Sequence, residues 1–189
     1  MSVNLDIHQR KKDLGLVSIV LHWIVALGII TLTSIGLYMT SNEDLSLYGY
    51  HKSIGLILFP IIVIRVLWRL KQGWPIPVSR YSAVEHSLAK ITHWLLLILT
   101  LLMPLAGMIN SGASGHGFGI FGLELAPHNY TEDGQAIPYS EAWRDAGRTA
   151  HRYLGNALMV LIVLHIAGAL KHHFIDRDAT LKRMLGKKV

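Results

Sequence analysis

Apolar residues run along this chain in four long blocks, separated by shorter polar stretches. The blocks cover Leu14 to Met39, His51 to Leu70, Ser82 to Ile109 and Thr149 to His172. Each is near or above the roughly 20 residues that cross a hydrocarbon core about 30 Å thick. The first has no charge after Asp13, and the fourth has none between Arg152 and Lys171. Strands would leave unpaired backbone groups in lipid, so all four are predicted to be helices. The expected fold is an all-α membrane protein, a four-transmembrane-helix bundle, with residues 1–189 as one integral membrane domain and a long external loop over 110–148. Arg10, Lys11 and Lys12 precede the first block as they would a signal peptide. The block is longer than a signal-peptide core and no small-residue cleavage motif follows, so a retained helix is expected. The third helix should open at Ser82-Ala83-Val84-Glu85, a capping-box pattern that follows Pro75 and Pro77.

Composition supports this reading. Of 189 residues 51% are hydrophobic and 16% charged, against about a quarter charged in a soluble domain, and the mean hydropathy is +0.38. The formal net charge of +6 could point to nucleic acid only if the cations shared one face. They cluster instead at the ends of the apolar blocks. Arg10, Lys11 and Lys12 lie before the first, Arg69, Lys71 and Arg80 after the second, and Arg177, Lys182, Arg183, Lys187 and Lys188 after the fourth. The first connection, 40–50, carries only Glu43 and Asp44. The third sets Arg144 and Arg148 against Glu124, Glu132, Asp133, Glu141 and Asp145. The positive-inside rule therefore predicts both termini in the cytoplasm.

The chain has no cysteine and 11 histidines. Disulfides, iron–sulfur clusters and cysteine zinc sites are excluded. Ionisable groups inside a bilayer are costly and commonly functional. His151 and His165 are 14 residues apart, four helical turns less about 40°, so they share a face roughly 21 Å apart along the axis. In an up-and-down bundle His22 falls at the depth of His165, and His51 at the depth of His151. Two transverse imidazole pairs, one above the other, suit two bis-histidine haems. Small residues stand near each: Gly55 and Gly155 four residues after His51 and His151, Gly168 and Ala169 after His165, Ser18 and Ala26 around His22. His93 has Leu96 and Leu97 in those places and reads as a pocket or core histidine. Arg65, 14 residues after His51, lies at the depth of the His22–His165 pair. It is either a partner for a haem propionate or a residue reaching to the headgroups. A zinc or copper transporter is the competing metal reading. It would want carboxylate or Met company at the midplane, and the helix interiors contain no Asp or Glu. With no C-x-x-C-H motif, the haem must be held without covalent attachment.

These residues resemble the bacterial cytochrome b561 family of small di-haem membrane proteins. The resemblance spans nearly the whole chain. It rests on His22-Trp23, His51-Lys-Ser-Ile-Gly55, Val63-Ile-Arg-Val-Leu-Trp-Arg69, His151 with Leu154-Gly155-Asn156, and Leu164-His165 running into Ala169-Leu-Lys-His-His-Phe174 and Asp178-Ala-Thr-Leu-Lys-Arg-Met184. It implies a bacterial inner-membrane protein with two non-covalent haem b groups on His22, His51, His151 and His165. The implied activity is electron transfer between a quinone, ubiquinone above all, and a donor or acceptor at the outer face. That partner is either superoxide or a periplasmic redox protein. By the same resemblance His172 is a candidate quinone contact, with His86 and Lys171 as weaker candidates; the other reading of His172 is a solvated histidine at a helix C-terminus. The acidic first connection departs from what an anion-attracting superoxide site would show. Arg144 and Arg148 are read either as a local funnel or as residues at a helix end. A haem-bearing anchor subunit for a peripheral dehydrogenase is the alternative. His8, His116 and His128 receive no role.

Overall fold

The computed structural model describes residues 14–187 except 76 and 80. The readings placed on His8, Arg10, Lys11, Lys12, Asp13, Arg80 and Lys188 lie outside the described residues. Helices α1 (Leu16–Asn42), α2 (Tyr48–Gln72), α3 (Ala83–Ala113) and α4 (Glu141–Phe174) are the four membrane-length elements. A two-stranded sheet, β1 (Phe118–Ile120) and β2 (Leu123–Ala126), lies between α3 and α4, and the short α5 (Thr180–Met184) follows α4.

Helices α1 to α3 extend past the C-terminal ends of their apolar blocks, and α4 also starts well before its block. Helix α4 begins at Glu141, inside the stretch expected to be loop, so the 110–148 connection shrinks to about 114–140. Apolarity marks only the part of a helix that lipid touches. The charged first turns of α4 are set by local chemistry instead, with the Ser140 side chain accepting from the Trp143 N–H. The capping box at Ser82 and Glu85 is formed as expected.

Short connections make α1 and α2 one antiparallel pair, and the long α3 and α4 pack along each other as a second. The start of α1 and the C-terminal segment around Met184 lie at one end of the bundle, here the terminal end; the hairpin lies at the other, the loop end. The shared core of Val25, Ile29, Leu32, Leu58, Ile62 and Leu158 is centred between the two ends. Leu58 follows His51 by seven residues and precedes Arg65 by seven; Leu158 stands likewise between His151 and His165. Two turns of helix bring residues seven apart onto nearly one face. The core is therefore an apolar layer between the two histidine levels, and Leu158 within it is fully buried. Leu27, Ile64 and Val163 are more than half exposed, as lipid-facing side chains must be.

The hairpin closes the loop end. Ile120 pairs with Leu123, leaving Phe121-Gly122 as a two-residue turn in which both φ angles are positive, 44° and 95°. That is the twist a tight hairpin requires, and glycine supplies its second position without strain. Phe121 does not adopt it freely. Its N–H is held by Ser53 Oγ at 3.0 Å, and the same hydroxyl donates to Gly119 O at 3.4 Å. Lys52 Nζ donates to Gly117 O at 3.2 Å and lies 4.7 Å from the Tyr48 ring centroid. The two residues after His51 thus fasten the hairpin over its end of the bundle. His116 bonds Ser114 Oγ at 3.0 Å, and His128 bonds Glu124 at 2.8 Å, so both are framework residues of this cap.

Candidate functional site: two histidine pairs and a polar terminal end

The four histidines singled out by depth and face meet in the expected pairs. His51 of α2 and His151 of α4 have ring centroids 6.1 Å apart at the loop end. His22 of α1 and His165 of α4 are 6.2 Å apart at the terminal end. A metal–imidazole bond of about 2.0–2.1 Å puts each ring centroid about 3 Å from the metal, hence two centroids about 6 Å apart across it. Both observed spacings fit one iron between two rings.

Local chemistry at the rings adds to the fit. His151 Nδ1–H donates to Met103 O at 2.9 Å, which fixes the tautomer and leaves the Nε2 lone pair free for a metal. His51 Nδ1 is buried without a hydrogen-bond partner. Such an orphan is costly unless something absent from the polypeptide satisfies it. At the other level Arg65 Nη2 donates to His22 Nδ1 at 3.2 Å. The arginine must leave this ring before Nδ1 can carry a proton and Nε2 can bind metal. Gly155 and Gly55, expected to clear space beside the rings, face Met103 and Leu32 at ordinary contact distance instead. Closest clearance comes from Gly107, where a Cβ would lie 3.0 Å from His151 Nδ1, and from Gly36, 3.5 Å from His51 Cε1. Neither was visible beforehand, because each lies on a partner helix whose register the sequence does not display.

His93 lies nearer the site than a core histidine would. Its ring is 5.2 Å from that of His165, with Trp74 5.7 Å away on another side. Its Nδ1 donates to Ala89 O at 2.6 Å. It is a third imidazole at the terminal-end pair.

Below that pair a polar network ties α3, α4 and the C-terminal segment together. His172 Nδ1 sits 3.0 Å from both Asp178 Oδ2 and Asp176 Oδ2, and its ring lies 4.8 Å from Tyr81. Asp178 Oδ2 also accepts from Tyr81 Oη at 2.9 Å and Ser79 Oγ at 3.2 Å. Lys171 directs its ammonium to Glu85 at 2.8 Å and to both oxygens of Asp176 at 2.9 and 3.1 Å. His86 is exposed and lies apart from this network. The His172, Asp176 and Asp178 ligand atoms lie within 4.8 Å of one another, the one such cluster among the described residues. The Lys171 ammonium and the hydroxyls already satisfy it. At the loop end Arg144 is bound to Asp145 at 2.9 Å, which spends its charge and speaks against its serving as an anion funnel.

Asp178 gives the network a pH dependence. Burial works against its ionisation, but the Thr180 N–H and hydroxyl, the Tyr81 hydroxyl and His172 outweigh it and hold the carboxyl below its ordinary range. A carboxylate depressed on folding adds stability that is fully present above its unfolded value of about 3.9 and is lost as pH falls through the folded value. The segment from Ile175 to Lys187 should therefore stay docked at neutral pH and open on acidification below about pH 4. Asp178→Asn should remove that dependence. Hydrogen-exchange protection of the Thr180 amide against pH measures it, and an unchanged pH profile in the variant would show that another group is responsible.

A family profile described as prokaryotic cytochrome b561 matches residues 13–187. The chain belongs to the prokaryotic cytochrome b561 family. It is 36% identical over 181 residues to Cytochrome b561 homolog 2 of Escherichia coli (strain K12), covering 92% of this chain and 91% of the relative. It is 29% identical over 180 residues to Probable superoxide oxidase CybB of Yersinia pestis, covering 94% and 98%, and 27% identical over 175 residues to Cytochrome b561 homolog 1 of E. coli, covering 90% and 95%. As a cytochrome b561 it is a multi-pass protein of the bacterial inner membrane, and its chemistry is membrane electron transfer with haem b.

Proposed function

We propose that this cytochrome b561 carries two haem b groups, one on His51 and His151 and one on His22 and His165, and passes electrons between an outer-face redox partner and ubiquinone. The observation that carries the reading is the two imidazole pairs at 6.1 and 6.2 Å. The positive-inside charge pattern supports a terminal end in the cytoplasm and a hairpin outside. When bound, haem supplies reversible one-electron iron chemistry that no side chain here can supply. The polypeptide does the rest: bis-histidine ligation and burial set the potential, and the Leu58–Leu158 layer keeps water out between the two levels.

Superoxide is the donor this reading favours, in keeping with the name of the Yersinia relative. Two superoxide anions leave as dioxygen and give up one electron each; one ubiquinone takes both electrons and two protons from the cytoplasmic side. Lys52, beside His51, is a cation at the outer site, while Arg144 is held by its carboxylates. His172 is the quinone contact of this proposal. Its Nδ1–H is anchored on Asp178 and Asp176; with both ring nitrogens protonated, Nε2–H donates to a quinone oxygen and can pass it that proton, leaving the neutral imidazole. Lys171 steadies Asp176, and His86 at the start of α3 remains a peripheral candidate for the same pocket.

Stopped-flow spectroscopy of the purified protein tests this. Superoxide should reduce a b-type absorbance and ubiquinone should reoxidise it. Reduction by quinol with none by superoxide would assign a different donor, and the absence of any b-type absorbance would overturn the proposal. His172→Ala should leave the spectrum intact and slow reoxidation by ubiquinone by about 10²-fold, the usual weight of a general acid. Equal reoxidation rates would remove His172 from the quinone site.

A further inference from the structure

The hairpin tip carries a residue that its turn does not favour. A two-residue turn with both φ angles positive is usually built from Asn, Asp or Gly, yet its first position here is Phe121, at φ 44°. Strain of this kind persists where the surroundings hold it, and it gathers at working sites. The side chain is not spent on the core: Phe121 is 62% and Leu123 64% exposed. Leu125, two residues on, faces the same way as Leu123 and is exposed as well. Glu124 alternates to the other face, where it bonds His128 at 2.8 Å. The hairpin is therefore apolar along one side and polar along the other.

The tip also lies at membrane depth. The two histidine levels, roughly 21 Å apart along α4 and centred on the Leu58–Leu158 layer, fit inside a hydrocarbon core about 30 Å thick. Ser53 is two residues further into α2 than His51, about 3 Å. Its hydroxyl holds the tip, accepting from the Phe121 N–H and donating to Gly119 O. Non-helical backbone at this depth persists only where its polar groups are satisfied internally. Ser53, itself buried, satisfies two of them. The neighbouring surface already faces lipid. Tyr50, Ile57 and Ile64 are all exposed and seven residues apart, hence nearly on one face of α2. The Phe121 ring continues this stripe, 6.2 Å from that of Tyr50. A cavity of about 390 Å³, lined by both rings and by Ser46, Gly49 and Ser53, leaves room there for part of an acyl chain.

We propose that the Phe121-Gly122 tip is a membrane anchor: Phe121 and Leu123 sit among the phospholipid acyl chains of the leaflet at the loop end, and Ser53 supplies the hydrogen bonds that let the turn enter it. The partner is a lipid surface because the apolar side of the hairpin is continuous with the stripe that lipid already covers, while its polar side faces the opposite way. The anchor needs neither haem nor a particular direction of electron flow. It closes the α2 flank beside the His51–His151 pair to water-borne reactants, which must approach from elsewhere on the loop end.

The chain has no cysteine, so a single introduced Cys can carry a nitroxide at a chosen site of the full-length protein in phosphatidylcholine vesicles. Power-saturation EPR reads the collision rates with dioxygen, which concentrates in lipid, and with a neutral nickel chelate, which stays in water. Leu123→Cys should show the dioxygen-rich ratio of Ile64→Cys on the lipid face, severalfold above that of Asp133→Cys in the polar loop. Phe121→Asn in the Leu123→Cys background should lower the ratio severalfold. Asparagine suits the turn better than phenylalanine, so misfolding would not explain the drop. Ser53→Ala should lower the ratio as well, because the Phe121 N–H and Gly119 O would then lack a partner in lipid; an unchanged ratio would take that role from Ser53. A ratio at Leu123 equal to that at Asp133 would overturn the anchor. Low collision rates with both reagents would also overturn it and put protein over the tip, a second copy of the chain if the labels broaden one another.

Discussion

Half of the reducible b-type absorbance should disappear from the His51→Ala protein, and the remaining half should keep the potential of one wild-type haem. The expectation follows from the separation of the two pairs. His51 and His151 meet at the loop end, and the second pair lies roughly 21 Å further along α4. The buried layer of Leu58, Ile62 and Leu158 stands between them. Removing one imidazole leaves the iron with a single protein ligand at that level and touches nothing at the other. His151→Ala should reproduce the loss, and His22→Ala and His165→Ala should remove the other half. His93 makes the terminal-end test discriminating, because its ring is nearer to His165 than that of His22 is. His93→Ala should keep both haems. Loss of a haem on replacing His93 together with retention on replacing His22 would move the ligand from α1 to α3. A bound haem stabilises the fold that binds it, so each ligand variant should also melt earlier than the parent.

The features readable in advance share one property: each depends on the phase and depth of residues along a single helix. Histidines 14 residues apart must share a face, and a bilayer forces apolar helices to span it, so both pairs could be placed before any contact was seen. Arg65 was placed at the right depth for the same reason. What escaped depends on contacts between distant segments. The clamp of Ser53 on Phe121 spans 68 residues, and the bond from Trp23 to Met184 spans 161. No periodicity in either segment announces them. The extra turns of α4 were missed because hydropathy was the guide, and a helix outside the lipid needs caps and neighbours more than apolarity. The leucine neighbours of His93 leave a pocket and a core position equally open, and only the ring of His165 on α4, 5.2 Å away, decides for the pocket.

The largest effect on stability should come from Gly147→Val. Gly147 is buried where α4 passes α3. A Cβ there would stand 2.6 Å from Asn110 N, with Ala106 O and Asn110 Cα at 3.0 Å. These are backbone atoms of the facing helix, so no rotamer change can relieve the clash. Small residues let membrane helices approach this closely, and the packing gained is the main force holding them together. Valine must push α3 and α4 apart or unwind a turn, at a cost of about 3 kcal/mol, the upper part of the usual range for overpacking. Gly147, His151 and Gly155 lie four residues apart in turn and face Asn110, Gly107 and Met103 of α3. The displacement therefore passes directly to His151, whose bond to the Met103 carbonyl depends on that approach. Heating the variant should release the haem at the loop end before the terminal-end haem, followed by early loss of helical circular dichroism. Gly49→Ala, at a helical glycine with nothing within 4 Å of the added carbon, serves as the control and should melt with the parent. If Gly147→Val melted with the parent and kept both haems, the close approach of α3 and α4 could not be what sets the position of His151.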